Sequence, residues 1–172
     1  MQLMKHTSSH RHIKLISISA MLAALTFAAT FLIKIPLAIG YVHIGDGIVF
    51  LASALLPAPF AMAATAVGVG LADLCSGYVI YIPITALVRI LTVLCFSRKR
   101  EMLSPRNILG LAGGILICAV GYWAFEAIFV YENAVAALAG IPFNLAQSAV
   151  GAVLYIVIAK TAGKWLKKAI EK

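Results

Sequence analysis

The stretch GYVHIGDGIVFLASALL, residues 40–56, sets a tyrosine, a histidine and an aspartate within seven positions and then turns almost wholly apolar. The residues before it, 15–33, are apolar as well. The surrounding composition explains the pairing. The chain has 172 residues, of which 63% are hydrophobic and 12% charged, and its mean hydropathy is +1.01. A soluble domain carries about a quarter charged residues. The composition therefore places most of this chain in lipid, and residues 40–46 read as a polar connection between two membrane spans.

A helix needs about 20 apolar residues to cross ~30 Å of hydrocarbon. Candidate spans fall at 15–33, stopped by Lys34 and Pro36, and at 47–56, interrupted by Pro57 and Pro59. The second is short, hence tilted or capped by a proline turn. Others fall at 60–74, 78–96, 108–130 and 142–161, with Pro142 suited to a first helical turn. The leading run lacks a small-residue cleavage site before a polar mature chain, so it reads as a span and not a removed leader. The pattern predicts an all-α membrane protein, a six-transmembrane-helix bundle. A cytoplasmic N-terminal tail would take 1–14, the membrane domain 15–162 and a basic amphipathic tail 163–172. No repeat or second domain is visible.

The net charge of +8 is not spread as in a nucleic-acid binder. Basic residues cluster before the first span (Lys5, Arg11, Lys14), after the fourth (Arg98, Lys99, Arg100, Arg106) and after the sixth (Lys160, Lys164, Lys167, Lys168, Lys172). A six-span topology puts all three clusters on one side, with Lys34 on the other. The positive-inside rule then places both termini in the cytoplasm and the 40–46 loop outside. Trp165 and the lysines around it suit a membrane-surface anchor, with a cytoplasmic partner site as the alternative. Cys75, Cys95 and Cys118 are odd in number, have no C-x-x-C spacing and read as buried free thiols.

Polar residues gather at the outer end. Asp46 opens the second span, Asp73 ends the third, Glu126 lies about a turn inside the end of the fifth, and Glu132 lies just beyond it. Asn144, Gln147, Ser148 and Gly151 share one face of the sixth. Tyr122 and Glu126 are i, i+4 neighbours, and Tyr81, Thr85 and Arg89 form a stripe down the fourth. Polar groups in hydrocarbon face a bundle interior or a wet cavity, so the cluster predicts an outward-opening pocket. Interhelical hydrogen bonding is the alternative for any one member. Arg89 lies about 16 Å from the outer end at ~1.5 Å per residue, too deep to snorkel, and needs a partner such as Asp73 or Glu126. It is either a cationic floor or half of a structural ion pair. His43 is either a ligand contact or a solvated loop residue. Tyr41, Tyr78, Tyr81, Tyr122 and Trp123 suit stacking on a flat ring or an interfacial belt. The candidate ligand set is Tyr41, His43, Asp46, Tyr81, Arg89, Tyr122, Glu126, Asn144 and Gln147.

There is no P-loop, no H-E-x-x-H and no nucleophile elbow with a credible base, so neither catalysis nor a cofactor or metal is expected. His6, His10 and His12 make only a weak metal motif. On the first span Ala20, Ala24 and Ala28 recur every fourth residue, a spacing that lets another helix approach closely. Ala61, Thr65, Gly68 and Ala72 repeat the theme on the third.

Three stretches resemble the substrate-binding S components of energy-coupling-factor (ECF) vitamin transporters, the riboflavin-type branch in particular. They are ISISAMLAALTFAAT (16–30), GYVHIGDGIVFLASALLPAP (40–59) and GLADLCSGYVIYIPITALVRIL (70–91). The family often has lysine where Arg89 stands, and the C-terminal half resembles it only in pattern. The resemblance implies a multi-pass protein of the bacterial plasma membrane that captures a vitamin or vitamin precursor from outside. It implies pairing with a transmembrane coupling subunit and two cytoplasmic ATPases, and a toppling motion that carries the closed pocket inward. Residues 40–46 would then be part of the lid, with Tyr41 over the ligand and Asp46 fixing the loop or the ligand. The vitamin stays open among riboflavin, a pyrimidine or pyridoxine-like ring, and pantothenate. A self-sufficient small-molecule carrier or channel is the alternative, and a structural membrane subunit a third reading.

Overall fold

The computed structural model describes residues 2–36 and 41–171. Helices are α1 (Gln2–Phe31), α2 (Asp46–Leu55), α3 (Ala58–Cys75), α4 (Ile82–Leu94), α5 (Pro105–Phe129), α6 (Ala134–Ala137) and α7 (Ile141–Glu171). Single 3-10 turns, Val79–Tyr81 and Leu138–Gly140, precede α4 and α7. The α6 helix is one turn, capped by the Asn133 side chain, which accepts from the N–H groups of Val135 and Ala136. The other six make the bundle. Four stretches are long and apolar enough to cross a membrane: 10–31, 58–75, 105–129 and 134–170.

The short second helix has a physical reason. All ten residues of α2 are buried, enclosed by α1, α3, α4, α5 and α7. A helix packed by protein on every side does not have to match the lipid thickness. Prolines set the other starts: Pro59, Pro83 and Pro105 all fall in first turns, where a missing N–H costs nothing.

Helix α1 buries Leu15, Ser19, Leu22, Thr26 and Thr30, spaced three or four apart. That face meets α3. A Cβ on Gly68 would sit 2.6 Å from the Ala23 carbonyl oxygen, so a glycine there permits the approach. Ala61, Thr65, Gly68 and Ala72 are all buried. The small-residue stripe of α3 therefore packs inside the bundle, against α1.

Helix α1 starts at Gln2, and α7 runs on to Glu171. Where the sequence reading has a polar connection over 40–46, two short antiparallel strands pair as a hairpin, β1 (Lys34–Pro36) with β2 (Tyr41–His43), Lys34 opposite His43 and Pro36 opposite Tyr41. Gly40, the first residue of the lid stretch, lies outside the described residues. The cysteines are free, but Cys118 alone is buried, with Cys95 half-buried and Cys75 exposed at the end of α3.

The two ends of the bundle differ in chemistry. At the end with both termini, Asn107, fully buried, binds Ser97 N–H at 2.8 Å and the Ser97 and Glu101 carbonyls at 3.2 and 3.0 Å. Tyr155 donates to the Met102 carbonyl at 2.5 Å beneath the Phe50–Phe96 stack. Arg98 and Arg106 bond the carbonyls of Leu55 and Cys95, at the C-terminal ends of α2 and α4, where cations meet unsatisfied acceptors. Lys14 reaches the Ala169 carbonyl and Lys167 that of Arg100. The hairpin lies at the opposite end.

Candidate functional site

Next to the hairpin the bundle opens into a cavity with about 590 Å³ of empty space, its mouth included. β2 supplies Tyr41, Val42 and His43; the end of α3 supplies Asp73. Tyr78, Tyr81 and Thr85 come from the turn into α4 and its first residues, Tyr122 and Glu126 from α5. Gly140, Phe143, Asn144 and Gln147 complete the wall from the start of α7.

Local backbone chemistry explains how the α3 end contributes. Tyr78 N–H bonds the Asp73 carbonyl at 2.9 Å and Gly77 N–H bonds that of Leu74 at 3.2 Å. This is a Schellman closure, and it needs a left-handed residue after the cap. Gly77, at φ +82°, supplies it without the Cβ penalty. The turn folds Tyr78 back beside Asp73. Tyr41 then donates to Asp73 Oδ1 at 2.7 Å, while Asp73 Oδ2 is buried with no hydrogen-bond partner.

The aromatic wall is a chain of tilted rings: Tyr41 to Tyr78 at 5.2 Å, Tyr78 to Tyr81 at 6.1 Å and Tyr81 to Tyr122 at 6.4 Å between centroids. Tyr122 and Thr85 share a 2.9 Å hydroxyl contact, and Tyr81 lies 3.4 Å from Glu126 Oε1. Strand β2 is fastened from below, since His43 N–H donates to Gln147 Oε1 at 3.1 Å. The His43 Nδ1 accepts from Gly45 N–H at 3.1 Å, which assigns the proton to Nε2. Burial pushes the imidazole down to about 4, assisted by Arg89 and opposed by Asp46, so the ring is neutral. The His43 ring lies 5.5 Å from that of Tyr41, and burial first, then Asp73, raises the Tyr41 hydroxyl above its ordinary value.

Seven of the nine expected ligand residues stand on this wall: Tyr41, His43, Tyr81, Tyr122, Glu126, Asn144 and Gln147. Asp46 and Arg89 do not. They lie beneath it, 0% and 1% exposed, with Arg89 Nη2 2.9 Å from Asp46 Oδ1 at an angle outside hydrogen-bond geometry. The partner of Arg89 is thus Asp46, not Asp73 or Glu126. The reason is the burial of α2, which carries its first-turn carboxylate into the bundle. Asp46 Oδ2 accepts from Ser148 at 2.6 Å and from Gln147 at 3.4 Å. His43, 6% exposed, is not a solvated loop residue. Trp123 leaves the ring wall and donates to the Ala134 carbonyl at 3.1 Å. The wall residues absent from the expected set are Val42, Asp73, Tyr78, Thr85, Gly140 and Phe143. Asp73, Tyr78 and Thr85 carried a signal in depth or helical spacing, whereas Val42, Gly140 and Phe143 carried none.

Among the described residues no group of three or more His, Cys, Asp or Glu is placed to hold a metal ion. The cavity offers tyrosine faces, hydrogen-bond acceptors and amides, which suit reversible binding of a small flat molecule. No curated protein matches the chain. The family model described as the S component of the ECF-type riboflavin transporter matches residues 10–164, nearly the whole length of the bundle, and the chain belongs to that family.

Proposed function

We propose that this substrate-binding subunit of an ECF vitamin importer captures its ligand in the cavity between the hairpin and the start of α7, and that the cavity opens to the outside of the bacterial plasma membrane. The observation that carries the reading is a polar, aromatic-walled cavity closed beneath by the Arg89–Asp46 pair. A floor sealed by a buried ion pair suits capture and handover better than a continuous path through the bundle. The outward orientation is supported by the basic residues, which gather at the end opposite the cavity.

The ligand contacts in this reading are Tyr41, His43, Tyr81, Tyr122, Glu126, Asn144 and Gln147, joined by Asp73, Tyr78 and Thr85. Asp46 and Arg89 act through them, as positioning residues. The transmembrane coupling subunit docks on the alanine stripe of α1. Ala20 and Ala24 are exposed and Ala28 half-buried, on the flank of α1 away from its buried line. Small residues there let a partner helix approach closely. The ATPases bind through that complex at the cytoplasmic end.

Reconstitution tests the reading. The purified chain should bind a vitamin, and proteoliposomes should accumulate it only with the coupling subunit, the ATPases and ATP. Accumulation by this chain alone would replace capture with a self-sufficient carrier.

A further inference from the structure

We infer that the captured molecule is an amino-bearing or cationic heteroaromatic ring, held by carboxylates on two sides of the cavity. This rests on the cavity being the capture site. Asp73 and Glu126 both stand on its wall, on α3 and α5. Among the described residues the Arg89 guanidinium is ion-paired with Asp46, and neither wall carboxylate has a lysine or arginine at ion-pair distance. The Arg89 guanidinium is committed below the floor. Lys34, the first residue of β1, donates to Ser76 Oγ at 2.6 Å and lies 4.4 Å over the Phe31 ring and 5.1 Å over the Tyr41 ring, outside the cavity lining. Among the described residues no lysine or arginine lines the cavity.

The acceptors are also incompletely used. Asp73 is 5% exposed, and with Oδ1 occupied by Tyr41 its Oδ2 remains buried and unpartnered. A buried carboxylate oxygen without a donor is costly, and a ligand N–H removes that cost. The Glu126 carboxylate has only a long 3.4 Å approach from Tyr81 at Oε1. Its Oε2 occupies space that Gly140 leaves open: a Cβ there would lie 2.7 Å away. The tyrosine faces between the two carboxylates favour a positively charged or donor-edged ring. Facing Asp73 and Glu126, an edge of ring carbonyls, as on an isoalloxazine, would set acceptors against acceptors.

Matched pairs test this on the purified full chain by isothermal titration. The first pair is 4-amino-5-hydroxymethyl-2-methylpyrimidine and its 4-hydroxy counterpart; the second is pyridoxamine and pyridoxine; riboflavin is the neutral tricyclic probe. In at least one pair the amino compound should bind about tenfold or more tighter than its partner and than riboflavin. Asp73→Asn and Glu126→Gln should each reduce that ratio. Equal affinity within both pairs, tighter binding of riboflavin, or a ratio unchanged in both variants would overturn the inference. Riboflavin binding without an amino preference would overturn only the charge assignment and leave capture standing. If none of the five probes binds, the inference falls, and capture then depends on ATP-driven uptake of another vitamin.

Discussion

Arg89 and Asp46 meet 2.9 Å apart under the floor of the cavity, both sealed from solvent. Asp46 opens α2, Arg89 lies in the second half of α4, and Ser148 and Gln147 on α7 bond the same carboxylate. Three helices are therefore joined at one charged point, directly below the strand that carries Tyr41 and His43.

Removing one member leaves an uncompensated buried charge, which costs about 3–5 kcal/mol. Arg89→Met and Asp46→Asn should each lower thermal stability in detergent by that order. The double variant should recover part of the loss, because no lone charge remains. A double variant that loses the sum of the two single effects would show that the pair is not coupled.

Gln147 joins the hairpin to the floor, through His43 N–H above and Asp46 below. Gln147→Ala should weaken ligand binding by about 5- to 150-fold, the equivalent of roughly 1–3 kcal/mol for a polar group left unsatisfied. Asn144→Ala and Glu126→Ala should act in the same direction. Titration of folded, detergent-solubilised protein decides it; unchanged dissociation constants in all three would remove the end of α5 and the start of α7 from the site.

His43 imposes a pH dependence. Its folded value, about 4, lies below the ordinary 6.5, so between the two the unfolded chain holds more protons. Stability from the neutral ring is complete above 6.5 and declines as pH falls toward 4. Thermal midpoints measured from pH 7.5 to pH 4 should fall less steeply in His43→Gln than in the unsubstituted chain. Parallel curves would mean that the ring protonates as freely when folded.

Ala24 is exposed on α1, away from the face that packs against α3. Ala24→Trp should therefore leave ligand affinity of the solitary protein nearly intact and sharply reduce uptake by the full complex, since a bulky side chain holds a docking helix away and forfeits dispersion contacts. Normal uptake would take this stripe out of the interface. Gly68→Val should do the opposite, destabilising the isolated bundle, because a Cβ there meets the Ala23 carbonyl at 2.6 Å.

The class of fold was legible in residues alone. Six apolar runs separated by Lys34, Pro57 and the basic 97–107 loop specify spans and turns, because hydropathy and proline chemistry act locally and need no knowledge of neighbours. The outer polar cluster was legible for the same reason: Tyr81, Glu126, Asn144 and Gln147 are recognisable by depth and helical spacing. Pairings were not. Depth along the chain offered Asp73 and Glu126 as partners of Arg89, and only the burial of all of α2 brings Asp46 to it instead. The two small-residue stripes look alike in sequence, yet Gly68 faces α1 and Ala24 faces away from the bundle. Gly140 and Phe143 join the wall only because α7 starts beside the end of α5. Which side of a helix meets which neighbour depends on how the whole bundle minimises exposed polar groups and fills space, and that is a property of six helices together.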